Sequence, residues 1–416
     1  MTVDVDQPAD RSVLTGKRIL FGVTGSIAAF KAAGWVRELT AESVGVTVVM
    51  TGAAERFVSS LTFGALSGNP VYRDMFDEAP DRLMAHINLS READCILIAP
   101  ATAQTIARLA HGMADDLLAT VVLAARIPVV LCPAMNSNML SHPATRKNLR
   151  QLQDMGYHVI PADRGILACG EEGAGRLPQW ESVRETLLRL FSPQDLAGKK
   201  IVVTAGPTRE PLDPARFLSN RSSGKMGYAL ARTAARRGAE VVLVSGPVAL
   251  PEPVGIRTIQ VNTADEMRAQ VVSLARNADI VIKAAAVADF KPEKYRRQKI
   301  KKSSAGTVIE LEQNTDILAE LGKTRQPGTL LVGFAAESRN HEQEGFRKLR
   351  QKNVDLVVVN DILGAATGFD VDTNQVLLVD GNGSRRLPLL SKVETANRIW
   401  DHVLTLNDSG ALSGGV

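Results

Sequence analysis

Apolar and polar positions follow two periods along this chain. Short apolar runs bounded by turn residues alternate with stretches whose apolar positions recur every third or fourth residue, the patterns of buried strands and of amphipathic helices. Arg18–Val23 is the first convincing strand, followed by Gly25, Ser26 and a helix from about Ala28 to Ala41. Gly45–Met50, Cys95–Ala99, Val129–Cys132 and His158–Pro161 read as further strands. Helical patterns separate them, which predicts a parallel, doubly wound sheet. The rhythm lapses at 191–198, FSPQDLAG, which reads as a linker. A second alternating unit follows, with strands at Ile201–Val203, Glu240–Ser245, Ile280–Ala284, Leu330–Phe334 and Leu356–Val359. Gln375–Val379 and Arg386–Leu389 flank Asp380-Gly381-Asn382-Gly383 and predict a late β-hairpin. The tail from Asn407 is small and polar and is expected to fray. The fold expected is α/β: two Rossmann-like domains with mostly parallel sheets, at 1–190 and 199–416, sharing an architecture but no sequence repeat.

Neither half carries the dinucleotide fingerprint. The first strand ends in Gly22-Val23-Thr24-Gly25-Ser26 rather than GxGxxG, and the second in Met50-Thr51 where a ribose-binding carboxylate would stand. The second half ends the equivalent strand at Ser245-Gly246. Both departures favour a phosphate-bearing ligand other than NAD.

Bulk composition narrows the class. A chain of 416 residues, 45% hydrophobic and 23% charged, can bury a core in each of two or three domains. A net charge of +4 gives no reason to expect nucleic acid as a partner. Three cysteines argue against a disulfide framework and for a reducing compartment. Met1–Thr15 is acidic and polar, without the apolar core of a signal peptide. Ala119–Met135, the longest apolar region, is interrupted by Arg126, Pro128 and Pro133 and cannot span a membrane. A cytoplasmic enzyme is expected.

The stretch Thr204–Gly227, TAGPTREPLDPARFLSNRSSGKMG, is too long and too polar for a plain βα connection. It concentrates Thr208, Arg209, Arg216, Asn220, Arg221, Ser222, Ser223 and Lys225 ahead of a helix N-terminus, with Gly224 and Gly227 permitting close backbone approach. Such a loop suits oxyanions. The stretch resembles the signature of bacterial phosphopantothenoylcysteine synthetases, the ligase half of bifunctional coenzyme A biosynthetic proteins.

The first half resembles the homo-oligomeric flavin-containing cysteine decarboxylases, with a flavodoxin-like fold. The resemblance is carried by GVTGSIAAFKA at Gly22–Ala32, AHINLS at Ala85–Ser90, APATA at Ala99–Ala103, PAMN at Pro133–Asn136 and ACGEEGAGR at Ala168–Arg176. It implies that Gly25, Ser26, Thr51, Pro100 and Thr102 hold FMN, and that His86, Asn136 and Cys169 act on substrate. Decarboxylating a cysteine carboxylate leaves electrons with no acceptor unless the adjacent CH₂–SH is first oxidised to a thioaldehyde, which is the flavin's contribution. His86 would manage the proton lost on thiol oxidation, Asn136 would hydrogen-bond the carboxylate, and Cys169 would protonate the enethiolate. Cys95 and Cys132 lie in apolar strands and read as inert core. Cys169 lies among glycines, in a loop loose enough to close over substrate, beside Glu171 and Glu172, which suits a thiol donor rather than a thiolate nucleophile.

In the second half, KAAAVAD at Lys283–Asp289 precedes the basic run KPEKYRRQKIKK, Lys291–Lys302. Without an aromatic ladder, and directly after a strand end, this fits a triphosphate with Mg²⁺ better than nucleic acid. The resemblance implies Asp289, Lys299, Asn314, Thr315, Asp316, Ile317, Phe334, Lys348 and Lys352 as CTP ligands, with Asp289 also able to hold the metal. Arg216 and Asn220 are implied ligands of the phosphopantothenate acyl-nucleotide. Asn314-Thr315-Asp316-Ile317 carries Thr where that family has Pro. An amine cannot displace a carboxylate oxygen until it becomes a leaving group. Attack on the α-phosphorus of CTP would give an acyl-cytidylate and pyrophosphate, and cysteine would then displace CMP. The expected substrates are therefore phosphopantothenate, cysteine and CTP, although CTP and ATP leave no distinguishing residues. The implied assembly is a closed homo-oligomer, a dodecamer of decarboxylase trimers and ligase dimers. Two other readings stand beside this one: a peptidyl-cysteine decarboxylase with an unrelated partner domain, and a non-catalytic flavoprotein regulatory subunit.

Overall fold

The computed structural model describes residues 13–76, 84–300, 308–337, 339–361 and 371–411. The chain divides into two compact units between Phe191 and Ser192.

In the first unit the strands are β1 (Arg18–Val23), β2 (Gly45–Met50), β3 (Val71–Tyr72), β4 (Cys95–Ala101), β5 (Val129–Pro133) and β6 (His158–Val159). They form one sheet in the order 3-2-1-4-5-6 with every pairing parallel. Setting aside the two-residue β3, the order reads 2-1-3-4-5, the flavodoxin-like arrangement. Side-chain alternation sorts β1 between two cores. Ile19, Phe21 and Val23 pack with the helices Ala29–Ala41 and Trp180–Phe191, while Leu20 packs with Ala103–Ala110 and Leu117–Ala124 on the other face. Strands buried on both faces read as continuous apolar runs, which is why their sequence signal is strong.

Two differences from the sequence reading concern this unit. β6 stops at Val159, because Pro161 has no N–H to extend a ladder. The glycine-rich segment around Cys169 is a hairpin, β7 (Asp163–Ile166) with β8 (Glu172–Arg176), rather than a loose loop.

The second unit holds β9 (Lys200–Ala205), β10 (Arg209–Asp213), β11 (Arg216–Ser219), β12 (Glu240–Ser245), β13 (Arg257–Gln260), β14 (Ile280–Lys283), β15 (Phe290–Pro292), β16 (Leu311–Gln313), β17 (Leu330–Glu337), β18 (Leu356–Asp361), β19 (Thr373–Asn374), β20 (Val376–Asp380), β21 (Gly383–Arg386) and β22 (Leu390–Ser391). Its main sheet runs 13-12-9-14-17-18-20-21. Pairing is parallel as far as β18 and antiparallel beyond it. The late hairpin turns on Gly381-Asn382, its Asp380 carboxylate accepting from the N–H groups of Asn382 and Gly383. That two-residue turn fixes the register and starts the return strand at Gly383, three residues earlier than the apolar pattern suggested.

The helices Lys225–Arg236 and Lys392–Ala411 cover one face of this sheet, where Trp400 is fully buried and its indole N–H donates to Leu230 O and Thr233 Oγ1. Ala264–Ala275, Ile317–Thr324 and His341–Lys352 cover the other. Of the stretch expected as a linker, Phe191 ends the last helix of the first unit and residues 192–198 belong to this unit. Leu196 is fully buried, and Asp195 pairs with Arg237 at 2.6 Å. The buried Arg237 guanidinium needs its two carboxylates, Asp195 and Asp401.

Candidate functional site

Both sheets change direction between two central strands, and loops at such a point leave a crevice at the strand ends. In the first unit the crevice lies beyond β1 and β4. Thr24 fastens these strands together: its hydroxyl donates to Pro100 O at 2.6 Å and accepts from Thr102 N–H at 3.1 Å. Thr51 and Thr102 each use the side-chain oxygen to cap the short helix that follows. A cavity of about 590 Å³ opens here, lined by Gly25, Ser26, Thr51, Thr102, Thr105 and Arg108 among others. The Arg108 guanidinium is held by Asp115 and Asp116 at 3.0 and 2.6 Å. Hydroxyls, loop N–H groups and one fixed guanidinium form a donor set suited to a phosphate and a polar chain.

A second cavity of about 460 Å³ shares Ser26, Ala134 and Met135 with the first and adds Asn136 and Cys169. Asn136 Oδ1 accepts from Asn138 N–H at 2.8 Å, which turns its Nδ2 toward Cys169 Sγ, 3.8 Å away. The Cys169 thiol donates to Glu171 Oε2 at 3.7 Å. The β7–β8 hairpin is seated on the Asn136 loop by Met135 N–H on Gly175 O and by Ser137 Oγ on Ala174 O. Only glycine can stand at 175: φ is +142° and a Cβ would lie 2.0 Å from Met135 O. Cys169 is exposed, whereas Cys95 and Cys132 are buried. Burial pushes the Cys95 thiol up to about 12, with Asp94 adding to the shift, and raises that of Cys132 further.

Of the residues expected around a flavin, Gly25, Ser26, Thr51 and Thr102 line the first cavity, while Pro100 is buried behind it and presents its carbonyl to Thr24. His86 stands in the first turn of the helix Ala85–Glu92 and lines neither cavity. Sequence reasoning passed over Thr105, Arg108, Ala134 and Met135. The first two follow Thr102 at helical spacing, a signal that could have found them.

In the second unit the long polar loop contains the β10–β11 hairpin, so it is built rather than irregular. It is stitched to KAAAVAD: Ala286 N–H donates to Gly206 O, Ala288 N–H to Thr208 Oγ1, and Asn220 Nδ2 to Val287 O at 2.9 Å. Arg216 Nη2 donates to Ile300 O at 3.3 Å, beside exposed Lys299. Gly227, expected to admit a ligand, instead admits the sheet, since a Cβ there would meet Ala205 Cβ at 2.6 Å and Thr204 O at 2.8 Å.

A second group gathers beyond β14 and β17. Lys352 Nζ pairs with Asp316 at 2.5 Å and Lys348 Nζ with Glu337 at 2.5 Å. Lys283, the last residue of β14, was not foreseen as part of the site. Burial lowers its ammonium to about 8, against the pull of Asp316 and Asp289 and with the repulsion of Lys352 and Lys348. Asp316 caps the helix Ile317–Thr324. Burial pushes its carboxyl up, but the Lys352 hydrogen bond and the Ala319 N–H outweigh that and hold it below its usual range. Asn314 donates to Ala288 O, while its Oδ1 and that of Asn360 are buried without a hydrogen-bond partner among the described residues. Thr315 is exposed. Ile317 is core, and Phe334 packs half-buried against the other core face. Asp289 is exposed, and among the described residues no three His, Cys, Asp or Glu side chains converge to hold a metal. Lys301 and Lys302 lie outside the described residues.

Comparison with known proteins fits this division. Residues 9–192 match the flavoprotein family, and residues 196–406 the DNA/pantothenate metabolism flavoprotein C-terminal domain family. The coenzyme A biosynthesis bifunctional protein CoaBC of Bacillus subtilis (strain 168) is 44% identical over 400 residues, 95% of this chain and 98% of its own. The chain belongs to the CoaBC family. Its member from Escherichia coli (strain K12) is 42% identical over 399 residues, 95% of this chain and 98% of its own. A crystal structure of the C-terminal domain of a CoaBC protein is 44% identical, covering 52% of this chain and 99% of that one, with a TM-score of 0.45. Among the described residues no helix is long and apolar enough to cross a membrane.

Proposed function

We propose that this CoaBC-family chain performs two consecutive steps toward coenzyme A, the second unit ligating 4′-phosphopantothenate to cysteine with CTP and Mg²⁺, and the first decarboxylating the product with FMN. The observation that carries the reading is the Asn136–Cys169 pair, 3.8 Å apart, opening on a cavity contiguous with the hydroxyl-lined one.

When bound, FMN supplies the oxidation of CH₂–SH that gives the leaving electrons an acceptor. Ser26, Thr51, Thr102 and Thr105 would hold its phosphate and ribityl chain. Asn136, its amide locked by Asn138, presents donors to the substrate carboxylate. Cys169 Sγ would deliver the proton that completes reduction of the enethiolate, and the thiolate left behind would be reprotonated from solvent, with Glu171 orienting the S–H. His86 lies off this cavity, which accords with a site finished by a neighbouring subunit in a trimer.

On the ligase side, Asn220 is oriented by Val287 O in KAAAVAD and Arg216 by Ile300 O, next to Lys299 in the chain. Lys299 would offset charge on the α-phosphate during attack, and Asn220 would orient the activated acyl group for cysteine. Lys348, Lys352 and the unpaired oxygens of Asn314 and Asn360 suit the phosphates and amino group of a nucleotide. Mg²⁺ would arrive on the triphosphate, whose oxygens supply most of its ligands, with Asp289 as one more. A cytoplasmic closed assembly of trimers and dimers completes the proposal.

Purified full-length protein should be yellow, release FMN on denaturation, and form pyrophosphate only with phosphopantothenate, CTP and Mg²⁺ together. A colourless protein, or pyrophosphate release indifferent to phosphopantothenate, would overturn the reading.

A further inference from the structure

Asp213 ends β10 with its side chain wholly buried, although the hairpin around it is largely exposed. One carboxylate oxygen is spent on the turn: Oδ1 accepts from Ala215 N–H at 2.8 Å and Arg216 N–H at 2.9 Å. The other leaves the hairpin altogether. Oδ2 accepts from Ile300 N–H at 3.2 Å and lies 3.6 Å from Arg216 Nη1, while Arg216 Nη2 donates to Ile300 O at 3.3 Å. Arg296 N–H on Leu212 O adds a backbone tie between the same two segments.

A carboxylate serving only a tight turn needs no second segment. Here it is the shared acceptor for the hairpin that carries Arg216 and for the basic segment that carries Lys299. Burial pushes the carboxyl up, but the N–H groups of Ala215 and Ile300 and the Arg216 charge outweigh that and hold it below the usual range. It is thus ionised at neutral pH and attracts the Arg216 guanidinium while accepting from the Ile300 N–H.

We infer that Asp213 is a positioning residue of the ligase, a latch that sets Lys299 against Arg216 so that the nucleotide side and the acyl side of the site are held in one register. This rests on the roles proposed above for Lys299 and Arg216. The substitution Asp213→Asn isolates the latch, because an amide oxygen can still serve the turn. The amide NH₂ cannot accept from Ile300 N–H, and Arg216 loses its counter-charge.

In the full-length protein, Asp213→Asn should lower kcat/KM for CTP-dependent pyrophosphate release by about 10- to 100-fold, the scale of a misplacement near one ångström. Decarboxylation of supplied phosphopantothenoylcysteine should not change. Hydrogen exchange at the Ile300 amide should quicken. The double variant Asp213→Asn/Lys299→Gln should lose clearly less than the product of the two single losses, since the part of the effect that acts through Lys299 has nothing left to position. Losses that multiply, or wild-type ligation in Asp213→Asn, overturn the inference. A Lys299→Gln variant with normal ligation overturns the reading of Lys299 instead, and unchanged Ile300 exchange in Asp213→Asn overturns the latch by itself. If Asp213→Asn does not fold, Ile300→Pro, which deletes the loop-side N–H and spares the carboxylate, takes its place with the same kinetic expectations.

Discussion

Around the strand ends of the first sheet the polar groups are mostly hydroxyls, loop N–H groups, the amides of Gln104 and Asn136 and one thiol, with Lys31, Arg108 and Arg176 as lining cations, of which Arg108 is already held by Asp115 and Asp116. Around those of the second, lysines stand paired with carboxylates: Lys348 with Glu337, Lys352 with Asp316, Lys225 with Asp372. A lining made mostly of hydroxyls, N–H groups and amides can receive a ligand with little disruption of resident ion pairs. A paired lining must trade partners, an incoming phosphate for a resident carboxylate, so ligand binding there is expected to be the more sensitive to salt.

The sharpest way to break this contrast is at the thiol. Cys169→Ser should still oxidise and decarboxylate substrate but stop at the unsaturated product, with overall turnover down by about 10²–10⁴-fold. The check is flavin absorbance, which should remain bleached after substrate addition. Reoxidation at the wild-type rate would remove Cys169 from the mechanism. Next, Asn220→Asp should keep pyrophosphate release from CTP yet lose amide formation by about 10²-fold. Equal loss in both assays would make Asn220 a ground-state ligand only.

The smallest effect concerns stability. The Lys283 ammonium is lowered to about 8 in the fold, so at pH 7 it is charged in both folded and unfolded states and the fold bears the desolvation penalty. That penalty is complete below about pH 8 and disappears as pH rises past the unfolded value near 10.4. Lys283→Met should therefore raise stability at pH 7 by about 1–2 kcal/mol, a value reduced for the partial exposure of the side chain, and the gain should fade in alkali. Thermal melts of the two proteins at pH 7 and pH 10.5 measure it. The opposite trend is expected from the first sheet, where the buried groups are thiols that stay neutral in the fold across this range but ionise in the unfolded chain above about pH 8.5, so that stability there falls in alkali.

How much of this was legible in the sequence differs by element type. The long parallel strands announced themselves, β1, β2 and β12 to the residue, because burial on both faces leaves an unbroken apolar run. The two-stranded ribbons did not. β7–β8 is Gly-rich, and β10–β11 and β15–β16 carry Pro, Arg and Glu in place of β-branched residues, so neither propensity nor alternation marks them. These ribbons bring Cys169 to Asn136 and Arg216 to Ile300. The residues of the candidate sites could be named from motifs, yet their mutual placement rests on elements with no periodicity. Lys283 escaped for a related reason, since a lysine closing the run IVIK looks like a strand's solvent end until a neighbouring strand and helix cover it.

The distribution of sulfur has a practical corollary. With two thiols sealed in the first sheet and the third standing open on its ribbon, a single chain offers one handle to a soft electrophile. A maleimide dye or a covalent inhibitor fragment should therefore couple once per native polypeptide, reporting from the mouth of the decarboxylase crevice without any engineering of the protein.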